Sequence, residues 1–271
     1  MHHPAILSGG FNQLRQCRHG YMLYNVHDVY IGRSLDLYGE FSEGEVDTFR
    51  KVLRPGEWVL DIGANIGAHT LALSQIVGPQ GRVYAFEPQR ILFQTLCANL
   101  ALNGVTNAYC HHSAVGESPG KLLVPPLNYA AENNFGGVSL GNYPAGEPVE
   151  VLTIDSLALP SCRMLKIDVE GMELAVLRGA AQTIQRFKPI LYVENDRAQN
   201  SAALTELIHS HGYHMYWHLP PYFSAENFYQ NPHNVFGNIV SGNLLCTHPA
   251  VGPTIVGLRQ CQPGEPIPFG R

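Results

Sequence analysis

The spacing of apolar and polar residues along the chain predicts an α/β fold. From residue 57 onward, short and nearly continuous apolar runs alternate with stretches of helical periodicity, which is typical of a parallel sheet covered by helices on both faces. Five strands of this kind are predicted, at 58–63, 82–88, 108–116, 164–171 and 190–195. Two more strands in 213–248 complete the predicted fold class: α/β, with a doubly wound, mostly parallel seven-stranded sheet and an antiparallel end strand.

The N-terminal region, residues 1–56, has a different pattern. The alternating segment 21–32 indicates a β-hairpin around Asn25–Asp28. Ser42 and Glu45 stand at capping-box spacing just ahead of an amphipathic stretch. We therefore expect one hairpin and one helix in this region.

The α/β pattern extends over residues 57–248 and is interrupted twice. Residues 117–150 are rich in Gly, Pro and Asn and are predicted to be an insertion. Residues 219–238 form an aromatic, Asn-rich loop between the last two predicted strands. Residues 249–271 are rich in Pro and Gly, and the expectation is a loose tail.

Composition excludes several classes of protein. The 271 residues carry a net charge of −5, so there is no basic excess for binding nucleic acid. No apolar run is long enough for a membrane span, and the N-terminal sequence lacks the features of a signal peptide. The six cysteines are scattered without a CxxC pair, which favours a reducing, cytoplasmic location.

The sequence VLDIGANIGAHT, residues 59–70, places a glycine turn directly after the first central strand. Gly63 and Gly67 form the pattern D-x-G-x-x-x-G, which is neither the G-x-G-x-x-G of dinucleotide-binding proteins nor a phosphate loop. The turn therefore allows a ligand to approach closely without a clear signal for phosphate. Asp61, at the strand end, would suit a cationic group.

Glu87 ends the second strand, where an acidic side chain can accept hydrogen bonds from ribose hydroxyls. A turn for close approach and a ribose-binding acid, without phosphate chemistry, indicate a nucleoside that carries an amino acid. S-adenosylmethionine fits this description, with its ammonium facing Asp61 and its ribose facing Glu87. Each feature also has a structural explanation, such as capping of a turn or of the helix that follows.

Three segments, LDIGANIGAHT, VYAFEP and LKIDVEGMELAVLRGA, resemble the FkbM-type family of class I S-adenosylmethionine-dependent methyltransferases. The resemblance extends over about residues 28–248. It implies a seven-stranded sheet with its last strand antiparallel, and O-methylation of small molecules, often at sugar hydroxyls. It also implies that the N-terminal hairpin and helix close over the cofactor.

The resemblance also implies roles for individual residues. The methionine part of the cofactor would be surrounded by Asp61, Gly63, Asn65, Gly67 and Thr70. Glu87 would bind the ribose, and Ser113 and Ala114 would lie near the adenine. Tyr38, together with Glu40, would close over the cofactor, although Tyr38 also fits a core aromatic position.

The fourth and fifth strands end in acidic residues. Asp168 is the first choice for the residue between methyl group and acceptor, with Glu170 or Glu194 as a second candidate base. Histidines 214, 218 and 233 are further candidates. Asp168, Glu194 and Asn195 resemble the oxygen ligands of a magnesium site, as in metal-dependent O-methyltransferases. Alternatively, Glu170 caps the next helix, Lys166 pairs with an acid and Glu194 binds substrate directly.

The acceptor is expected to be a small molecule with a hydroxyl group, such as a sugar or glycosylated metabolite. The aromatic and Asn side chains of 219–238, here called the substrate lid, suit a polyol, and the insertion adds similar residues. Alternatively, these aromatics pack on the sheet and the Asn residues form turns. The sequence is also compatible with two other functions, a nicotinamide-dependent oxidoreductase and a non-catalytic cofactor-binding protein.

Overall fold

The structure is a computed structural model that describes residues 5–141 and 143–269, and its chain begins with a small antiparallel sheet and two helices. The strands are β1 (Leu7–Gly9), β2 (Asn12–Cys17) and β3 (Gly20–Asn25), and the helices are α1 (Ile31–Tyr38) and α2 (Glu43–Val52). Predictions for the N-terminus, the insertion and the tail include residues 1–4, 142 and 270–271, which lie outside the described part.

The N-terminal hairpin lies earlier in the chain than predicted. It joins β2 to β3, and Cys17 pairs with Gly20 at its end. The side chains of Asn25 and Asp28 instead accept hydrogen bonds from the backbone two residues further on, which makes turns that lead into α1. The helix predicted after Ser42 is present as α2, with a hydrogen bond from Ser42 Oγ to the Glu45 carboxylate.

The remaining strands and helices alternate except between β6 and β10, and the predicted strand 108–116 is divided into two strands that belong to different sheets. The strands are β4 (Trp58–Ile62), β5 (Arg82–Phe86), β6 (Ala108–His111), β7 (Ala114–Val115), β8 (Gly120–Val124), β9 (Glu147–Leu152), β10 (Met164–Ile167), β11 (Ile190–Glu194), β12 (His214–His218), β13 (Asn243–Thr247) and β14 (Arg259–Cys261). The helices are α3 (Ala68–Val77), α4 (Arg90–Leu102), α5 (Glu173–Arg178), α6 (Ala181–Phe187) and α7 (Ala198–Ser210). None of the helices in the described part is long and apolar enough to cross a membrane.

The central sheet has the strand order β14-β12-β13-β11-β10-β4-β5-β6. β13 is antiparallel to both of its neighbours, β11 and β12, whereas β4, β5, β6, β10 and β11 pair in parallel. The doubly wound, mostly parallel sheet is therefore confirmed. Its order reverses between β4 and β10, and this switch point is where α/β sheets bind ligands.

The tail contributes an eighth strand, so the expectation of a loose tail is wrong for residues 259–261. β14 pairs antiparallel with β12, and Cys261 lies opposite Met215. Further along, Glu265 accepts a hydrogen bond from the indole of Trp217. Without β14, the backbone N–H and C=O groups along that side of β12 would form an unpaired sheet edge. Pairing with these groups explains why the tail packs there.

The insertion 117–150 forms part of a second small sheet. β8 and β9 make an antiparallel hairpin, and β7 pairs in parallel with β9. The helical segment that follows β10 is interrupted between α5 and α6. At this break Gly179 lies against the carbonyl oxygen of Gly116, which a Cβ would approach to 2.0 Å.

One buried ion pair lies within the central sheet. Asp61 on β4 and Lys166 on β10 are partners in the ladder, and Lys166 Nζ lies 3.1 Å from Asp61 Oδ1. The neighbouring positions Val59 and Met164 on the same strands belong to an apolar cluster that includes Phe49. The pair therefore sits at the inner end of an apolar layer, directly below the switch point.

Candidate active site

The turn after β4 touches the end of β10. Gly63 has a φ of +83°, and a Cβ at this position would lie 1.7 Å from the carbonyl oxygen of Asp168. Only glycine accepts both this backbone conformation and this contact. The turn and the Asp168 segment therefore form the two walls of one opening.

Glu87, just past the end of β5, holds the turn in place. Its carboxylate accepts hydrogen bonds of 2.8 Å from the backbone N–H groups of Asn65 and Gln89. Burial raises the pKa of Glu87 to about 7, although both hydrogen bonds lower it. The residue lines two adjoining pockets, and its position at the strand end suits a ribose hydroxyl.

The first pocket is narrow and mostly apolar. Ser113 and Ala114 line it beside Glu87, and Ser113 Oγ is buried without a hydrogen-bond partner in the described part of the chain. A lone hydroxyl in an apolar slot suits the edge of a purine ring. Residues that were not predicted from the sequence also line it, namely Gln89, Gly136, Val138, Leu140, Val169 and Met172.

Asp61 and Thr70 do not line either pocket, which corrects the predicted contact of Asp61 with a cofactor ammonium. Asp61 is fully buried, Thr70 Oγ1 donates to it at 2.6 Å, and Lys166 supplies its cation. Both residues therefore support the turn from below. Gly67, with a φ of +85°, allows α3 to pack closely on Leu96.

The second pocket is a large cleft with an empty volume of about 1650 Å³ that is open to solvent. One side consists of the glycine turn and Glu87. The opposite side carries aromatic rings, with Tyr222 in edge contact with Tyr30 and Phe41 at centroid distances of 5.7 and 5.5 Å. Tyr30 and Phe41 were not predicted as site residues.

Asp168, Glu170 and Glu194 meet at this cleft. One carboxylate oxygen from each lies within 4.8 Å of the others, an arrangement that could hold a metal ion. However, Glu170 forms an ion pair with Arg197, and Asp168 lies 3.4 Å from Lys166 Nζ. The three predicted catalytic residues are thus brought together, with cations beside two of them.

Asn195 does not join this group, which corrects the predicted metal set. It is buried, and its side-chain Nδ2 donates to Ser201 Oγ at 3.0 Å. Alternate residues of a strand point to opposite sides, so Asn195 faces away when Glu194 faces the cleft. Glu170 takes its place among the three oxygen donors.

Tyr38 lines neither of these two pockets, so its contact with the cofactor stays a prediction. Its hydroxyl donates to the carbonyl oxygen of His233 and accepts from the backbone N–H of Val235. Glu40 likewise accepts from the backbone N–H of Phe228. These residues anchor the substrate lid to the N-terminal region, and the cleft is lined from that region by Tyr30, Ile31, Phe41 and Glu45.

Most of the lid packs on itself and on the N-terminal region. The side chains of Asn227, Asn231 and Asn234 form local turns, and Tyr229 donates to the backbone of Gln16. This matches the alternative in which the loop packs its own aromatics. The lid nevertheless contributes Tyr222 and Asn238 to the cleft wall, and Ile239 and Val240, which follow it directly, also line the cleft.

None of the three candidate histidines lines the cleft. His214 and His233 are exposed, and His218 bridges the hydroxyl groups of Tyr192 and Thr48. His69, in the first turn of α3, lines it instead. It lies within the sequence GAHT, in which Gly67 and Thr70 were predicted as site residues and His69 was not.

The strand order agrees with the doubly wound sheet that the resemblance to class I methyltransferases implied. A family model described as the Methyltransferase FkbM domain matches residues 61–215, which is more than half of the chain. The chain therefore belongs to the FkbM family of methyltransferases, as the resemblance of the three motifs indicated. This membership speaks against a nicotinamide-dependent oxidoreductase.

Three characterised relatives show how far the similarity extends. Methyltransferase sdnD of Sordaria araneosa is 30% identical over 162 residues, 45% of this chain and 60% of its own length. Hexuronic acid methyltransferase AglP of Haloferax volcanii is 27% identical over 163 residues, 52% of this chain and 59% of its own. The 31-O-demethyl-FK506 methyltransferase FkbM of Streptomyces tacrolimicus is 27% identical over 213 residues, 66% of this chain and 80% of its own. The matches thus span about three fifths of the first two relatives.

Proposed function

We propose that this protein transfers a methyl group from S-adenosylmethionine to a hydroxyl group of an uncharged, sugar-like small molecule. One observation carries the proposal. The first pocket and the cleft meet at Gly63, Glu87 and Asp168, which line both. A cofactor bound in the first pocket would therefore present its reactive end to an acceptor in the second.

The cofactor side of the site fits S-adenosylmethionine. Glu87 and Ser113 offer polar atoms at the ribose and adenine positions, between apolar residues such as Phe86 and Met172. The backbone of the glycine turn, with Gly63 and Asn65 at positive φ, leaves room for the methionine part. When bound, this cofactor supplies an electrophilic methyl group on a positively charged sulfur.

The charge of the cleft supports a neutral acceptor. Six carboxylate side chains line it, and the lysine or arginine among its described lining residues is Lys166, which is paired with Asp61. The carboxylates are Glu45, Glu87, Asp168, Glu170, Glu194 and Asp196. A carboxylate acceptor would be repelled, whereas the cationic cofactor and a neutral polyol would not. We therefore favour a hydroxyl over an acid group such as the hexuronic acid named for the Haloferax relative.

The shape of the cleft supports a sugar-like acceptor. Tyr30, Phe41 and Tyr222 provide aromatic surface on which the CH face of a sugar ring can stack. Asn134 and Asn238, together with the carboxylates, provide donors and acceptors for its hydroxyls. The name of the Streptomyces relative, which refers to a demethylated oxygen, agrees with transfer to oxygen.

The first experiment measures cofactor binding by calorimetry with S-adenosylmethionine, S-adenosylhomocysteine and NADH. We expect heat with the first two compounds and none with NADH. Glu87→Ala should weaken binding by about one to two orders of magnitude, because a buried hydrogen-bonded carboxylate is removed. Glu150→Ala, at an exposed ion pair in the small sheet, is the matched control and should bind normally.

The second experiment follows transfer of a labelled methyl group to a panel of neutral methyl glycosides, uronic acids and amino sugars. Mass spectrometry and NMR then identify the methylated atom. A methyl ether on a neutral glycoside supports the proposal, and a methyl ester of a uronic acid contradicts it. Cofactor binding without transfer to any member of the panel would favour a non-catalytic cofactor-binding protein.

A further inference from the structure

His69 occupies an unusual position in the wall of the cleft. It is only 6% exposed, yet it lines the cleft beside the aromatic and acidic residues. Its ring lies between those of Phe41 and Phe49, at centroid distances of 5.6 and 5.7 Å. Its Nε2 has no hydrogen-bond partner among the residues that the structure describes. A buried polar atom of this kind is costly unless a ligand satisfies it.

Several other ionisable groups in or near the cleft already have partners. Lys166 is paired with Asp61 and Asp168, and Glu170 is paired with Arg197. Glu45, which also lines the cleft, accepts a hydrogen bond from Ser42. His218, the most enclosed of the candidate histidines, is held between Tyr192 and Thr48.

We propose that His69 is the general base that takes the proton of the acceptor hydroxyl. This inference rests on the proposed function. The hydroxyl proton moves to one imidazole nitrogen of His69, and a lone pair of the acceptor oxygen forms the new O–C bond to the methyl carbon. The C–S bond breaks with its electron pair left on sulfur, which becomes a neutral thioether. The imidazolium then releases the proton to solvent through the open cleft.

The surroundings keep His69 in the form that this step needs. Burial lowers the pKa of its imidazole below the ordinary value of 6.5, so the neutral ring predominates at pH 7. The charged groups that face it are Glu45 on α2, Asp61 on β4, Lys166 on β10 and Asp168 just past the end of β10. The carboxylates favour the imidazolium once the proton has arrived, and Lys166 opposes it.

The test compares wild type, His69→Phe and His214→Asn. Phenylalanine keeps an aromatic ring between Phe41 and Phe49, so the fold and the binding of S-adenosylhomocysteine should be preserved. We expect the kcat for the best neutral glycoside to fall about 10²- to 10⁴-fold in His69→Phe. The acidic limb of the kcat profile against pH should disappear with it. His214→Asn, at an exposed position on β12, should match wild type.

A second measurement does not depend on turnover. The Cε1–H signal of His69, assigned by its loss in the phenylalanine variant, is followed by NMR in the protein saturated with S-adenosylhomocysteine. We expect this signal to titrate below pH 6.5. It should also shift when the neutral glycoside that the enzyme methylates is added.

Each outcome has a clear meaning. Wild-type kcat and an unchanged acidic limb in His69→Phe would overturn the role of His69 and leave the proposed function standing. A His69 signal that does not respond to an acceptor which the enzyme methylates would also overturn it. Should wild type methylate no hydroxyl in the panel, both the proposed function and the role of His69 would fall.

Discussion

Gly63 follows β4 and Asp168 follows β10, yet the backbone of Gly63 lies directly against the carbonyl oxygen of Asp168. This contact joins the glycine turn after β4 to the end of β10, and both residues line the two pockets. The contact would therefore set the distance between the proposed cofactor position and the proposed acceptor position. A change at either residue will affect both functions together.

Gly63→Ala is expected to abolish cofactor binding and to destabilise the protein. The added Cβ would lie 1.7 Å from the Asp168 oxygen, and the φ of +83° is strained for alanine. Calorimetry with S-adenosylhomocysteine and thermal unfolding measure the two effects. Gly56→Ala is the matched control for positive φ, because a Cβ there meets nothing within 4 Å. If Gly63→Ala bound the cofactor as wild type does, the close contact would not govern the site.

Lys166→Met is expected to lower the free energy of unfolding by about 3–5 kcal/mol, because it leaves the fully buried Asp61 without its cation. Urea unfolding measures the change. Replacing both partners, as in Asp61→Leu with Lys166→Met, should recover part of the loss. Lys121→Met, in an ion pair with more than half of each side chain exposed, should cost about 1 kcal/mol or less. A loss of similar size in the two lysine variants would argue against a special role for the buried pair.

Glu87 is expected to make the unliganded protein less stable as the pH rises. Its pKa is raised by burial from 4.5 to about 7, so the folded state holds a proton that the unfolded chain has already lost between these values. The stabilising contribution is therefore complete below pH 4.5 and is lost by about pH 7, a change on the order of 1–3 kcal/mol. Urea unfolding of wild type and Glu87→Gln across this range checks the sign, since the variant should lack this slope. A slope in the opposite direction that is removed by the substitution would contradict the raised pKa.

Tyr38→Phe is expected to loosen the substrate lid without affecting cofactor binding. The substitution removes the hydroxyl that bonds the backbone of His233 and Val235, at a cost of about 1 kcal/mol per hydrogen bond. Amide hydrogen exchange in residues 233–236 should become faster, and KM for the acceptor should rise several-fold. Tyr143→Phe, which removes a local hydrogen bond in the insertion, should change neither quantity. Weaker binding of S-adenosylhomocysteine by Tyr38→Phe would instead support a contact with the cofactor.

Removal of divalent metals is expected to leave methyl transfer unchanged. Lys166 and Arg197 already lie beside two of the three carboxylates that could bind a metal, and Asn195 faces away from them. Activity after dialysis against a chelator, with and without added magnesium, tests this expectation. A loss that magnesium restores would show that Asp168, Glu170 and Glu194 act as metal ligands after all.

Local sequence patterns were enough to predict the five parallel strands, the glycine turn and the acid at the end of the second central strand. Apolar periodicity and the positive φ of residues such as Gly63 are local properties, so they can be recognised in a single segment of chain. The three motifs were sufficient to indicate the family, and the family model agrees. The doubly wound sheet followed because alternating strands and helices have few ways to pack.

The contacts of the side chains near the site could not be predicted from the sequence and are known from the folded arrangement. Asp61 forms an ion pair with Lys166, and Tyr38 forms hydrogen bonds with the lid. Asn195 donates a hydrogen bond to Ser201, and His69 lines the cleft. Most of these assignments depend on residues that are distant in sequence and meet only through the order of the strands, as Asp61 and Lys166 do across the ladder. Burial and charge pairing arise from such contacts, so they cannot be predicted from the spacing of residues within one segment of the chain.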